Sequence, residues 1–146
     1  MNLKDILFHK GATVYSIEES ATLFDVVQKM VDCNCGSLVV CDGQEQMVGI
    51  ITERDILRCL ASNGREFGQI CVADRMTKDV VVGKPCSSVH DTMGLLTEKR
   101  IRHLPVLDED GSVVGMVSIG DLVKAKHQQV VAENHHMKKY IQSEVA

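Results

Sequence analysis

Gly49-Ile50-Ile51-Thr52-Glu53-Arg54-Asp55-Ile56 and Gly115-Met116-Val117-Ser118-Ile119-Gly120-Asp121-Leu122 are two copies of one phrase: glycine, two apolar residues, Thr or Ser, two free positions, Asp, and another apolar residue. Outward from this pair, the flanking sequence repeats at the same offset without a gap. Val14 meets Val80, Asp25 meets Asp91, Leu38 meets Leu104, Val40 meets Val106 and Asp42 meets Asp108. Between these identities apolar residues meet apolar ones, as Met30 with Leu96 and Ile50-Ile51 with Met116-Val117. Chance similarity does not hold one offset over such a length, so the chain is a duplication, and this decides its architecture.

Each copy has the same expected order. A short apolar run, Val14–Ile17 or Val80–Val82, suits a strand. A helix follows at Thr22 or Ser88, each with an Asp three residues on, a capping-box-like start. In the first copy Val26, Val27, Met30 and Val31 recur at helical spacing. Two apolar runs then flank a turn: Ser37–Cys41 with Met47–Ile51, and His103–Leu107 with Val113–Val117. Asp42-Gly43 and Asp108-Glu109-Asp110-Gly111 supply hairpin chemistry. A second helix opens at Thr52 or Ser118. The result is an α+β fold, a tandem repeat of two β-α-β-β-α motifs packed about a pseudo-twofold axis. Each sheet leaves an apolar face that the other repeat can cover, which predicts a shared core. The first repeat with its lead-in helix takes residues 1–66, the second 67–126, and a helical tail 127–146. In that tail Val130, Val131, Met137 and Ile141 are available for burial on the chain itself or on a partner.

A chain of 146 residues buries about 68–70% of its unfolded surface and needs neither metal nor disulfide to fold. Aromatics make up 3% with no Trp, so the core is aliphatic. A net charge of −4, with no basic stripe, argues against nucleic acid. No apolar run reaches the ~18 residues of a membrane span, and the first residues lack a signal peptide's layout. A cytoplasmic location with reduced thiols follows for Cys33, Cys35, Cys41, Cys59, Cys71 and Cys86. Cys33-x-Cys35 lacks the second ligand pair a zinc site needs, and His135-His136 point different ways on a helix; no metal is expected. No nucleophile elbow, P-loop or dinucleotide fingerprint occurs, so no catalytic residue is nominated and the chain reads as a non-enzyme.

The chemistry sits at the start of each second helix. Thr52 with Asp55, and Ser118 with Asp121, have the spacing of a capping pair, worth about 0.5–2 kcal/mol to the helix. Thr22/Asp25 and Ser88/Asp91 share that spacing with no ligand proposed, so spacing alone serves capping as well as binding. Position adds the second reading. A helix N-terminus offers unpaired N–H groups and a positive dipole end to an anion. The Thr52 or Ser118 hydroxyl can donate to a phosphate oxygen. An ionised carboxylate only accepts, which suits Asp55 or Asp121 to the two hydroxyls of a ribose.

The doubled motif, together with Arg100-Ile101-Arg102-His103-Leu104-Pro105-Val106 before its second copy, resembles tandem cystathionine-β-synthase (CBS) domains, the Bateman module. The similarity runs from about Leu3 to Ala125 and is nearest to compact two-repeat proteins free of any enzyme. It implies an adenine-nucleotide site in one or both inter-repeat clefts and a disc-shaped homodimer. Ligands across the family are AMP, ADP, ATP, NAD and S-adenosylmethionine, and no cofactor is required. Asp55 and Asp121 would contact ribose, and Thr52 and Ser118 ribose or phosphate. Arg54, Arg102 and Arg100 are candidates to grip phosphate, since arginine is always charged and bidentate; solvated surface arginines are the plainer alternative. His103 could bond backbone or phosphate. Pro105 would wall the slot for sugar and base. Lys10 and Arg65 stand at rims, where a solvated turn is the simpler reading. The implied function is regulatory: energy or redox-state sensing, signalled to a regulated protein by a ligand-dependent shift. The alternative is a nucleotide-independent interaction or dimerisation module.

Overall fold

The computed structural model describes residues 1–145. The first repeat comprises β1 (Ser16–Glu18), α2 (Leu23–Cys33), β2 (Ser37–Cys41), β3 (Met47–Thr52) and α3 (Glu53–Asn63), preceded by α1 (Leu3–Lys10). The second comprises α4 (Val89–Lys99), β4 (His103–Leu107), β5 (Val113–Ser118) and α5 (Ile119–Val145). Two 3₁₀ turns, Gly64–Gln69 and Val72–Asp74, fill the connection. Among the described residues no helix is long and apolar enough to cross a membrane.

The duplication is visible in the strand registers. β2 and β3 pair antiparallel with Ser37 opposite Thr52 and Val40 opposite Gly49. β4 and β5 pair with His103 opposite Ser118 and Val106 opposite Gly115. The register shifts at Val40/Cys41 in one sheet and at Val106/Leu107 in the other, so even the irregularity is copied. The turns are copied as well, though Gly43 is not their special residue. Glu45 (φ 61°) and Gly111 (φ 85°) hold the left-handed position, where glycine carries no Cβ penalty. Asp42 Oδ1 ties the first turn by accepting from the Gln44 and Gln46 amides at 2.9 and 3.0 Å.

One expected strand is absent. β1 lies parallel to β2, although it begins at Ser16 rather than Val14. Its counterpart at Val80–Val82 does not form, and a single parallel bridge, Gly83 to Val106, stands there instead. The local sequence gives the reason. Pro85 has no N–H to offer and biases the residue before it. Gly83 is also pressed between Leu104 and Leu3, whose methyl carbons would lie 2.7 and 2.8 Å from any Cβ added there.

The expected single core is two cores, each completed by the other repeat's lead-in. α1 precedes the first repeat in the chain but buries Leu3, Ile6 and Leu7 with Val89, Leu96, Leu104, Val106, Val117, Leu122 and Ala125 of the second. The turn at Val72–Asp74 precedes the second repeat but buries Val72 with Leu23, Val26, Leu38, Val40 and Ile51 of the first. Matching backbone bonds pin the exchange. Leu3 N donates to Ser87 O at 3.0 Å and Val89 N to Met1 O at 3.2 Å; Val72 N donates to Ala21 O at 2.8 Å and Leu23 N to Ile70 O at 2.9 Å. Each lead-in stops at α2 or α4 of the opposite repeat. The sheets are too small to hide both faces unaided, and the crossing segments supply the missing cover.

The motif glycines are required by this crossing. A Cβ on Gly49 would fall 2.8 Å from the Thr77 carbonyl oxygen and 2.7 Å from the Met76 sulfur; one on Gly115 would meet only Leu7 methyls at 2.5 and 2.6 Å. A side chain can yield more easily than a carbonyl that is itself bonded to Ile50 N at 3.0 Å. Gly49→Ala is therefore expected to lower unfolding stability by about 1–3 kcal/mol, and Gly115→Ala by less. Paired urea denaturation curves check the order, and equal losses would contradict it.

Candidate functional site

Both motif acids close full capping boxes. Thr52 N donates to Asp55 Oδ2 at 3.0 Å, and Asp55 N to Thr52 Oγ1 at 3.4 Å. Ser118 N donates to Asp121 Oδ2 at 2.9 Å, and Asp121 N to Ser118 Oγ at 3.2 Å. Thr22 and Asp25 make the same reciprocal pair at the start of α2. As backbone chemistry the motif is thus a helix cap, and the strand-to-helix turn presents its free N–H groups for the general reasons that govern helix ends.

What separates the motif acids from Asp25 is a further partner drawn from the exchanged lead-ins. Thr77 Oγ1 donates to Asp55 at 3.4 Å on both oxygens. Lys10 Nζ donates to Asp121 Oδ2 at 2.6 Å and to Met116 O at 2.8 Å. In each motif a carboxylate on one repeat takes a polar side chain that the exchange delivers. Burial pushes the Asp121 carboxyl up, but the Lys10 ammonium and the Ser118 amide outweigh it and hold the group below the usual carboxylate range. Both bonds fall on Oδ2.

The remaining candidates divide into those brought together and those left apart. His103 begins β4 directly opposite Ser118. Burial lowers its pKa; Glu53 raises it, Arg102 and Lys10 lower it, and Asp121 raises it. The net direction is downward, which favours the neutral imidazole. Lys10, His103, Ser118 and Asp121 therefore share one neighbourhood, with Glu53 reaching it from α3. Arg54 donates through Nη1 to the Arg100 carbonyl at 3.0 Å, a second tie between repeats. Arg102 is exposed, while its carbonyl accepts from Ile119 N at 2.8 Å. Pro105 is buried in β4 opposite Met116. Arg65 is exposed on the 3₁₀ turn and joins none of these groups.

Two contributors escaped the sequence reading. Thr77 is an exposed loop residue with no periodicity to flag it, and Glu53 occupies one of the motif's free positions. A cavity of about 850 Å³ also lies elsewhere. It opens beside β1 and the turn after β2, with Ser16, Asp25, Lys29, Val39 and Cys41 facing Ser112, and none of the candidate residues lines it.

Comparison with known proteins agrees with the duplicated fold. The family model for the CBS domain matches residues 4–62 and again 71–128. The mitochondrial CBS domain-containing protein CBSX3 of Arabidopsis thaliana is 41% identical over 125 residues, which cover 83% of this chain and 60% of that protein. A CBS-domain containing protein of Agrobacterium tumefaciens superposes with a TM-score of 0.83 at 34% identity, covering 86% of this chain and 92% of that one. Two further solved structures share the fold at TM-scores of 0.72 and 0.78: CBSX2 in complex with AMP, 24% identical over 87% of this chain and 96% of that one, and the CBS domain pair of MJ0100 in complex with 5′-methylthioadenosine and S-adenosylmethionine, 23% identical over 88% and 98%.

The Lys10–Asp121 pair yields a pH test. A carboxylate whose pKa is depressed in the folded state stabilises it above the unfolded pKa of about 3.9, and that stability is lost as pH falls through the lower folded value. Side-chain exposures of 37% and 24% keep the pair in the range of a surface ion pair, about 0.2–1 kcal/mol. Lys10→Met should raise the Asp121 titration midpoint, read by carboxyl NMR, and remove a stability increment of that size at pH 7 but not in strong acid. An unmoved midpoint would refute the assignment.

Proposed function

The chain belongs to the CBS-domain family, and from that premise we propose that it is a regulatory module, not an enzyme, that binds an adenosine-containing ligand at its two capped motifs. The observation that carries this reading is the second partner on each motif carboxylate. Lys10 neutralises Asp121, so a guest bearing hydroxyls and negative charge would meet a carboxylate and a cation side by side. An arriving nucleotide would take Lys10 onto its phosphate and present its ribose hydroxyls to the freed Asp121. Ser118 and the N–H groups of α5 would add donors, and His103, Arg102 and Pro105 would line the approach. Thr77, Thr52, Asp55 and Arg54, with Arg100 beside them, would serve the other motif. Lys10 and Arg65 are the outer members of the candidate set, and Lys10 gains weight from its contact with Asp121.

The complexes of related folds with AMP, and with 5′-methylthioadenosine and S-adenosylmethionine, support the class of ligand. AMP, ADP, ATP and NAD are the adenine nucleotides proposed here, sensed as a measure of energy or redox state. A cytoplasmic location, a homodimeric state and a regulated protein partner belong to the same proposal. Signalling would follow from replacing contacts between the repeats by contacts with the ligand, since a ligand shifts an equilibrium only through unequal affinity for its two states.

The second reading, a nucleotide-independent interaction module, is favoured by one observation: the cavity of about 850 Å³ beside β1 avoids the motif residues. Melting curves separate the two. A ligand that binds only the folded chain adds about 2.7 kcal/mol at 100 times its Kd, enough to move Tm by several degrees. AMP, ATP or NAD should raise Tm, and Asp55→Asn and Asp121→Asn, which keep the shape of the cap, should each diminish the rise. No shift with any of these nucleotides would sink the sensing proposal, and a shift with S-adenosylmethionine alone would reassign the ligand.

A further inference from the structure

α2 ends on two cysteines separated by one residue. Cys33 is the last residue of the helix, and Asn34 caps it in the left-handed conformation at φ 50° and ψ 50°. Asn34 N donates to the Met30 and Val31 carbonyls, and Cys35 N donates to Met30 O at 3.0 Å, so the turn is fixed on both sides. The second repeat builds the same turn at Arg100, with φ 55° and ψ 42° and Ile101 N on Leu96 O at 3.1 Å. It does so with Lys99 and Ile101 where the first repeat has Cys33 and Cys35. The backbone therefore asks for cysteine at neither place. A left-handed residue is the mirror image of a helical one, so the Cα atoms that flank Asn34 lie as far apart as residues i and i+2 of an α-helix, about 5.4 Å. A disulfide spans Cα separations of about 4.4–6.8 Å.

We propose that Cys33 and Cys35 are a dithiol site oxidised by hydrogen peroxide, closing to a disulfide across Asn34. The two thiols have different parts. Cys35 packs against the first-repeat core; burial and then the charge of Cys33 push its thiol up, with Glu53 adding to the rise and the Ser37 backbone and Lys29 opposing it. The thiolate is the attacking form, so Cys33, half-buried at the helix end, reacts first. Its sulfur bonds one peroxide oxygen, the O–O bond breaks, and the departing hydroxide takes up the Cys33 proton as water. The sulfenic acid left on Cys33 is then attacked by the Cys35 sulfur; the S–O bond breaks and a second water leaves with the Cys35 proton. Two electrons pass from the thiols to the peroxide, and an added dithiol reverses the bond by exchange. The other cysteines lack such a neighbour in sequence: Cys59 is buried on Asn63, Cys71 donates to Glu19 O, burial pushes Cys41 up, and Cys86 is exposed. The ring would end beside Gly36, whose carbonyl accepts from Glu53 N at 3.1 Å, and next to Ser37 opposite Thr52. Oxidation thereby stiffens the strand entry on which the first motif rests.

This inference involves no nucleotide and stands or falls apart from the proposed function. The full chain tests it. The reduced protein is treated with hydrogen peroxide, alkylated and digested with trypsin, which releases residues 30–54 as one peptide that also holds Cys41. That peptide should lose two hydrogen masses and carry the alkyl group on Cys41 alone, and dithiothreitol before alkylation should restore all three alkyl groups. Cys33→Ser should abolish the loss. Cys35→Ser should stop the reaction at the sulfenic acid, which dimedone captures at residue 33. In the oxidised wild type the Glu53 amide should exchange more slowly with solvent than in the reduced protein. A wild-type peptide alkylated at all three cysteines after peroxide overturns the proposal, as does sulfinic acid on Cys33 or a bond from either thiol to Cys41 or Cys86. Unchanged exchange at Glu53 beside a formed disulfide overturns the link to the motif.

Discussion

The structure depends on an exchange of cover between two incomplete sheets. One sheet has three strands and the other two, and sheets this small do not stand in water with an apolar face bare. α1 and the Val72–Asp74 turn close each sheet from the other half of the chain, with Leu3 and Val72 fully buried at the two crossing points. Neither repeat, taken by chain order, completes its own core: Val72 joins that of the first, and Leu3, Ile6 and Leu7 that of the second. Loss of either lead-in would therefore be felt in the repeat that follows or precedes it, because the buried residues belong to the neighbour. The same crossing sets the motif glycines, since Gly49 and Gly115 lie where the lead-ins pass closest to the sheets.

That arrangement explains how one capping pattern serves two purposes. Five helix starts use a short polar side chain against an Asp three residues on, from Asn2/Asp5 to Ser118/Asp121. Capping is thus the common job and demands no ligand. The lead-ins meet the caps at Thr22 and Ser88 through backbone pairing, whereas Asp55 and Asp121 each receive a lead-in side chain, Thr77 and Lys10. Chemistry is added to an ordinary helix end by what the fold brings beside it.

The division between legible and illegible follows from range. Strands and helices of each repeat were readable because their signals are local: Thr22, Ser88, Thr52 and Ser118 are caps where the spacing placed them, and the hairpins pair as the apolar runs require. The continuation of the chain into a long final helix was readable for the same reason. The missing strand at Val80–Val82 was not, because beside the local signal of Pro85 the crowding of Gly83 comes from Leu3, far away in sequence. Nor was the crossing of α1, since a run such as Leu3–Leu7 says that it will be buried and not by what. In the candidate site, the capping bonds were legible and the Lys10–Asp121 pair, spanning 111 positions, was not. Lys10 looks like any solvated lysine until the fold sets it on a carboxylate.

The physical link between the site and the rest of the molecule is therefore short. The segment that carries Lys10 is the end of α1, whose Leu7 packs against Gly115, one residue before the Met116 carbonyl that Lys10 also bonds. Anything that draws the ammonium off Asp121 acts at once on the C-terminal turn of the helix that covers the second core. The second core also holds the root of α5 through Leu122 and Ala125. A change at the Asp121 carboxylate, three residues into α5, thus reaches α1 on one side and the projecting helix on the other through direct contacts. No remote relay is needed, because the residue that caps α5 is also the residue that anchors the crossing segment.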